Sequence, residues 1–531
     1  LPDGDAGRRL APMNHEVTNQ PPPLPDLDLC AGDAALRDAL DRAGTAPPVD
    51  LGRAAGRAEV ADRARLANEN PPKLRSHDRY GHRIDEVEFH PAYHDLMRLG
   101  LEGRVASAAW DGEGRAGHLA RLYLMTQADA GVVCPMSMTH ASVPALRADA
   151  RVAAVWEPLV RAAQYDPRRL PVAQKAGVTL GMAMTEKQGG SDVRANTTRA
   201  RRQGGDYVLD GHKWFCSAPM SDAFLTLAQA EGGLTCFLVP RVLPDGGRNG
   251  MHIQRLKDKL GDRSNASSEI EYHGALAQRL GDEGRGIATI IAMVQETRAD
   301  CVAGSAGGMR AAVTQALWHV SHRRAFQKTL IDQPAMLAVM ADLCLEVEAA
   351  VALAIRCGAL MDAGDPLARV AVPAAKYWVC KRQTGVVHEA LEAHGGAGYV
   401  EEAPMGRLFR AAPLNAVWEG SGNVIALDLL RALRDDAARQ ALAAAVAGAR
   451  GLDARLDVHL RRLDVHPDET TARRFAEDVA LAMQAIALSQ GDGAIFDAFC
   501  AGRLGDRGLA YGGVVLPDAR HLIDRAMPRA A

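Results

Sequence analysis

The sequence is short of the features that mark most specialised chains. Aromatic residues make up 5% of its 531 positions, and only nine are lysine. The nine cysteines are odd in number and none has CxxC spacing. That fits reduced thiols in a cytoplasmic protein better than a disulfide scaffold. No apolar run reaches the roughly 18 residues that a membrane-spanning helix requires. Neither sign of charge dominates, because 62 Lys and Arg face 65 Asp and Glu for a formal net charge of -3. A chain-wide attraction to nucleic acid or acidic membrane is therefore not expected, although a local patch is compatible with the average. A charged-then-apolar leader is also missing, which argues against secretion. Met13 is read as the natural start, with residues 1–12 upstream of it.

What is present fits a multidomain globular protein. The chain is 47% hydrophobic and too long for one ordinary core, so two to four domains are expected. The Pro-rich run Asn19–Leu29 cannot sustain a helix or a central strand. From about 58 to 170 short helical patterns alternate with Pro and Gly breaks, as where Leu119, Leu122, Tyr123 and Met125 share a face. From about 181 to 285 short runs rich in Val, Tyr, Phe, Thr and Leu recur at roughly ten-residue intervals, the spacing of an all-β domain. Helical periodicity then returns through Val294, Cys301, Ser305, Met309, Ala312, Ala316 and Val320. Two further helical elements follow, and the series predicts a bundle. An Ala-rich helical piece from about 439 completes the chain. The expected units are 1–57, 58–180, 181–285, 286–438 and 439–531.

Three motifs carry chemistry. In Met182–Val193 a hydroxyl (Thr185), Gly189, Gly190 and Ser191 lie within seven residues, where backbone N–H groups can meet phosphate or carbonyl oxygens. A plain polar turn has the same composition. In Gly211–Pro219, Phe215 and Ser217 project to one side of a strand, placed to stack on and hydrogen-bond a flat heterocycle. A core aromatic beside a satisfied serine is the bland reading. In His394–Asn423 two glycine clusters flank a loop ending Trp418, Glu419, Gly420, Ser421, Gly422. A carboxylate in such a turn can be partly desolvated and poised as a general base; a surface glutamate is the alternative. His90/His94 and His319/His322 have metal-ligand spacing without an HExxH glutamate, so no metal site is expected.

Taken in order, these motifs resemble the acyl-CoA dehydrogenase flavoproteins over roughly residues 60–438. The resemblance rests on Thr185–Asp192, Lys213–Ser217, Lys259–Tyr272, Arg323–Phe326, Gly395–Tyr399 and Glu419–Ser421. A narrower similarity, to the AidB-like adaptive alkylation-response branch, reaches back to residue 14 and covers nearly the whole chain. It implies an α+β multidomain fold: a helical domain, a β-barrel, a four-helix bundle and an appended helical domain. It further implies FAD, a homotetramer, and oxidation of an acyl-CoA with Glu419 as base and hydride passing to flavin N5. In that pattern FAD is met by Met184, Thr185, Ser191, Phe215, Cys216, Ser217, Trp418, Gly420, Ser421, Gly422 and Asn423. Arg323, Phe326, Gly395 and Gly396 meet the FAD of another protomer. The slot used for the base by isovaleryl-type members holds Thr297, before Arg298, which leaves Glu419.

Two departures stand out, Glu392 where the family carries Gln and Pro413 where most members carry an Asp-containing segment. The branch is also associated with double-stranded DNA, which gives the alternative of a DNA-binding protein in which FAD is mainly structural. Residues 441–531 carry 11 Arg and no Lys against 12 Asp and Glu, so they supply no excess of cations for phosphate contacts. Folding could still sort Arg461, Arg462, Arg473 and Arg474 to one face.

Overall fold

The computed structural model describes residues 17–531 apart from 464–465 and 506–507. Met13 and the stretch upstream of it lie outside the described residues. The first part is helical, with α1 (Ala34–Arg42), α2 (Val49–Ala55), α3 (Ala58–Glu69), α4 (Pro91–Glu102), α5 (Gly114–Ala128), α6 (Ala130–Leu146) and α7 (Ala150–Arg161). Aspartates set several of the starts: Asp33, Asp129 and Asp149 each accept an N–H of the helix they precede. Within this zone lies a feature that the helical reading does not contain. Strands β1 (Lys73–His77) and β2 (Arg83–Glu88) form a hairpin, because Asp78 and Gly81 turn a run whose polar residues alternate outward. Val87 of this hairpin is buried in the barrel core.

The central zone is a barrel. Its strands are β3 (Leu180–Ala183), β4 (Arg199–Gln203), β5 (Asp206–Ser217), β6 (Ala223–Ala230), β7 (Gly233–Pro240), β8 (Met251–Leu256) and β9 (Ser267–Leu280). They follow the order β3-β6-β4-β5-β9-β7, with β8 also on β9. A further β6–β7 pairing closes the sheet on itself, which leaves few free edges.

Helix α8 (Gly286–His322) runs 37 residues, α9 (Pro334–Asp362) 29 and α10 (Ala368–Ala393) 26. All seven periodic residues from Val294 to Val320 are buried on α8. The short helix α11 (Met405–Ala411) leads to α12 (Gly422–Ala432), and α13 (Asp436–Ala449), α14 (Ala454–Arg461), α15 (Ala472–Leu488), α16 (Gly493–Phe499) and α17 (Ala519–Ala526) follow. The last of these share one apolar core with α1, α5, α8, α9 and α10. Burial fixes this union, because α15 is lined by Phe475, Val479, Leu481 and Met483, all fully covered. All nine cysteines are free and buried. No helix among the described residues is long and apolar enough to cross a membrane.

Candidate active site

The cleft is built from the barrel inward. Strand β5 has a register irregularity between Lys213 and Cys216 in its pairing with β9. Such a bulge breaks strict alternation and re-aims side chains. Lys213 and Cys216 are both fully buried, whereas Phe215 is 54% exposed. Phe215 and Ser217 thus share the outer side, as the motif predicts, while Cys216 does not. Its thiol lies in the barrel core, so only the Cys216 backbone is left to face a cofactor. That backbone is held too, since its carbonyl accepts from Ser268 at 3.1 Å.

The Thr185 loop is fastened to this strand. The Trp214 N–H donates to the Thr185 carbonyl at 2.8 Å, and Asn196 donates to the Met184 carbonyl at 2.9 Å. Beneath them Lys213 pairs with Glu186 at 3.0 Å, both completely buried. Burial alone would push the Glu186 carboxyl up. The Lys213 ammonium and the N–H groups of Thr197 and Thr198 instead bring it to about 2. Gly189, at φ +138, has nothing within 4 Å of a would-be Cβ, and Ser191 beside it is exposed.

The opposite wall is the loop before α12. Glu419 has φ +55, a left-handed conformation costing about 1–2 kcal/mol for a residue with a side chain. The residue keeps an opening to solvent, while its carboxyl lies deep among protein atoms. Burial raises its pKa; the Thr297 hydroxyl, Arg298 and Lys376 oppose that, and the charge of Asp300 adds to it. Thr297 Oγ1 lies 2.8 Å from Glu419 Oε2 and 3.1 Å from the Val294 carbonyl. A hydroxyl has one hydrogen. It donates to an ionised Glu419, or it turns to Val294 and accepts from a protonated one. Both forms of the base are therefore accommodated. Trp418 Nε1 donates to Asn415, which reaches Ser305 on α8. Cys134 on α6 lies close to both walls: burial pushes its thiol pKa up, Ser217 lowers it, and the charge of Glu419 adds to the rise.

One mutation tests the hydroxyl directly. Thr297→Val removes a hydrogen bond to a charged group, worth about 1.5–3 kcal/mol. It is expected to raise the Glu419 pKa further, because the ionised carboxylate loses its donor. The acidic limb of the rate of flavin reduction against pH then moves upward. An unmoved limb would show that the hydroxyl does not serve the carboxylate.

The other expected residues form a second group. Arg323 and Phe326 follow the end of α8, and Gly395 and Gly396 follow α10, with His319 and His394 4.7 Å apart between them. Arg323 lies twenty-six residues beyond Thr297, which is about 39 Å along a helix at 1.5 Å per residue. These residues cannot reach the same cleft in one chain. Phe326 is 93% exposed, and a Cβ on Gly395 or Gly396 would meet nothing within 4 Å. Arg323 donates to the Asn19 carbonyl, and Asn19 in turn clasps the Arg324 backbone. Glu392 is exposed beside His388 and Glu389.

Sequence reasoning missed a buried set behind the base. His118 Nε2 meets Asp300 at 2.7 Å, Ser137 donates to the other Asp300 oxygen, and His140 faces Glu296. Three of these groups have metal-ligand proximity. The His118 and His140 rings, however, stack at 3.4 Å within 13°, so their lone pairs lie in two separate, nearly parallel planes, a poor arrangement for meeting at one ion. Of the four C-terminal arginines, Arg474 pairs with Asp478 and Arg473 donates to Asn423 at the start of α12. Two of these four arginines therefore have partners within the fold.

Known proteins resemble this chain in sequence and in fold. The sequence matches the adaptive response protein AidB N-terminal domain over residues 19–167. It matches the acyl-CoA dehydrogenase middle domain over 181–275 and the C-terminal domain over 284–434. It is 44% identical to AidB of Escherichia coli (strain K12) over 88% of this chain and 90% of that protein. The structure resembles Caenorhabditis elegans ACDH-11 in complex with C11-CoA, with a TM-score of 0.78, 25% identity, and 90% and 89% of the two chains covered. A Bacillus anthracis acyl-CoA dehydrogenase complexed with FAD shares the fold at a TM-score of 0.62 and 17% identity, over 76% of each chain. Family members bind FAD. Domain matches in chain order and a relative of nearly the same extent lead to one conclusion: this chain belongs to the acyl-CoA dehydrogenase family of oxidoreductases, in its AidB branch.

Proposed function

We propose that this chain binds FAD in the cleft between barrel and bundle and dehydrogenates an acyl-CoA thioester, with Glu419 as general base. The observation that carries the reading is Glu419 itself, a deeply set carboxyl with a raised pKa, facing a hydroxyl that serves both its protonation states. The cleft also fits a flavin. Phe215 offers an exposed ring on the bulged strand, Ser217 a hydroxyl beside it, and Gly189 an open backbone. Met184, Thr185 and Ser191 lie on the same loop, and Gly422 and Asn423 open α12.

FAD, when bound, supplies the oxidising power and takes the two electrons as hydride from the β-carbon. The chain's own part is the α-proton. Glu419 accepts it, and the C–H electron pair moves into the new α,β double bond. The weak acidity of that C–H must be raised by hydrogen bonds to the thioester carbonyl. Glu419, Gly420 and Ser421 carry N–H groups with no acceptor among the described residues, a donor set of the required kind.

The second group, Arg323, Phe326, Gly395 and Gly396, supports a homotetramer in which each protomer completes a neighbour's flavin site. Its separation from Glu419 and the exposure of Phe326 and Tyr399 (87%) both favour that reading. Free, buried thiols favour a reducing compartment such as the cytoplasm. The test is direct. Purified protein is expected to be yellow, and anaerobic addition of acyl-CoAs of graded length to bleach it. Protein that stays colourless with added FAD, or flavin that no thioester bleaches, overturns the proposal; salt-sensitive duplex binding in the unbleached case favours the DNA-associated alternative.

A further inference from the structure

Lys376 lies inside α10 and is 1% exposed. Its ammonium donates to the Trp418 carbonyl at 2.8 Å and also to the Gly420 carbonyl. Among the described residues it enters no ion pair, so its only hydrogen-bond partners are the carbonyls on either side of Glu419. The carbonyl between them, that of Glu419, accepts from Arg298 at 3.3 Å. Arg298 is itself fixed by Asp428 at 2.6 Å, which Arg369 also grips. Three consecutive carbonyls thus end on two cations.

A buried ammonium set on neutral carbonyls is costly to desolvate. As a device for stability it is poor. As a device for orientation it is effective, because a trans peptide places its N–H opposite its carbonyl, and no peptide among the described residues is cis. Turning the Trp418 carbonyl toward Lys376 sends the Glu419 N–H the other way. Turning the Gly420 carbonyl there does the same for Ser421. Both N–H groups lack an acceptor among the described residues, and Glu419 then carries the base and a carbonyl donor on one residue. An α-carbon and its thioester carbonyl are adjacent atoms, so this pairing matches the substrate's own geometry.

We propose that Lys376 is a positioning residue: it turns the Trp418–Ser421 peptides so that the Glu419 N–H polarises the thioester carbonyl whose α-proton Glu419 removes. The inference rests on the reading of the site given above. It does not require Lys376 to touch substrate. Lysine is suited to the task because one compact ammonium has three donors and can serve two carbonyls at once.

The test reads the carbonyl itself. In FAD-loaded wild-type protein, the infrared carbonyl stretch of a bound 2-enoyl-CoA is expected below its value in water. Lys376→Met should lose that shift and lower kcat roughly 10²–10³-fold, the usual effect of removing one oxyanion donor, with little change in KM. Glu419→Gln, which keeps the backbone, should retain the shift while losing turnover. Lys376→Gln has an amide one atom shorter, which reaches one carbonyl, and should give an intermediate shift; it is read in place of the Met variant if that one fails to retain flavin. A full wild-type shift in either Lys376 variant, with kcat within threefold, overturns the proposal. An unshifted carbonyl in wild-type protein that does bleach overturns it as well and leaves the dehydrogenation standing. Wild-type protein that does not bleach removes both.

Discussion

Glu419→Gln is expected to slow anaerobic bleaching of the flavin by acyl-CoA roughly 10²–10⁴-fold, the range for loss of a general base. Flavin content should be unchanged, since the Glu419 carboxyl touches Thr297 and is set in the field of Arg298 and Lys376 rather than building the loop. Stability should move the other way from activity. The folded-state pKa of Glu419 is raised by burial, so ionising it costs the folded state. That penalty is absent below the unfolded value near 4.3 and complete above the folded one. At neutral pH the glutamine variant is therefore expected to unfold at the same temperature as wild type or higher. A variant that loses both turnover and stability would mean that the carboxylate is a structural brace.

The second large effect lies under the cleft. Lys213→Met alone, or Glu186→Gln alone, is expected to destabilise the protein by about 3–5 kcal/mol, because each leaves a buried charge without its partner. Glu186 receives Lys213 and the Thr197 and Thr198 N–H groups, and Lys213 also holds the Leu227 carbonyl. Loss of either partner loosens the Thr185 loop from β5, so flavin retention should fall with stability. The double variant, with no charge left, should recover a large part of both. Acid gives the same information. A carboxyl depressed to about 2 contributes stability that is fully present above the unfolded value and is lost as pH falls through 2. Denaturant titration of the three variants decides the matter. If the single variants match wild type, the pair does not hold the loop.

Much of this was legible before the structure. Short β-rich runs between Gly and Pro clusters marked the barrel, and three- to four-residue spacing marked α8, because both patterns follow from what a sheet or a helix must bury. Thr185, Phe215, Ser217 and Glu419 stood out for their chemistry in glycine-rich surroundings. Cys216 was named from the family pattern, and alternation about Phe215 and Ser217 turns its thiol into the barrel and leaves its backbone to the outer side; the bulge at Trp214 and Phe215 leaves no signature in one strand alone. The hairpin Lys73–Glu88 was hidden in a run of charges whose partner face belongs to the barrel. Glu186 and Lys213 were visible as parts of motifs, but nothing local says that they find each other. Lys376 was invisible for a related reason. Its partners are carbonyls forty residues away, and backbone groups carry no sequence. The clasp of Asn19 on Arg323 and Arg324 is likewise a contact across some three hundred residues.

The nine covered thiols have a use beyond marking a reduced protein. They are distributed through the structure: Cys30 before α1, Cys134 on α6, Cys216 and Cys236 in the barrel, Cys301, Cys344, Cys357 and Cys380 on the long helices, and Cys500 beyond α16. Each can be modified only when its own surroundings open, and openings differ in free energy from one part of a fold to another. The chain therefore carries its own set of clocks. The order in which a small alkylating reagent finds these nine sulfurs is the order in which the protein comes apart.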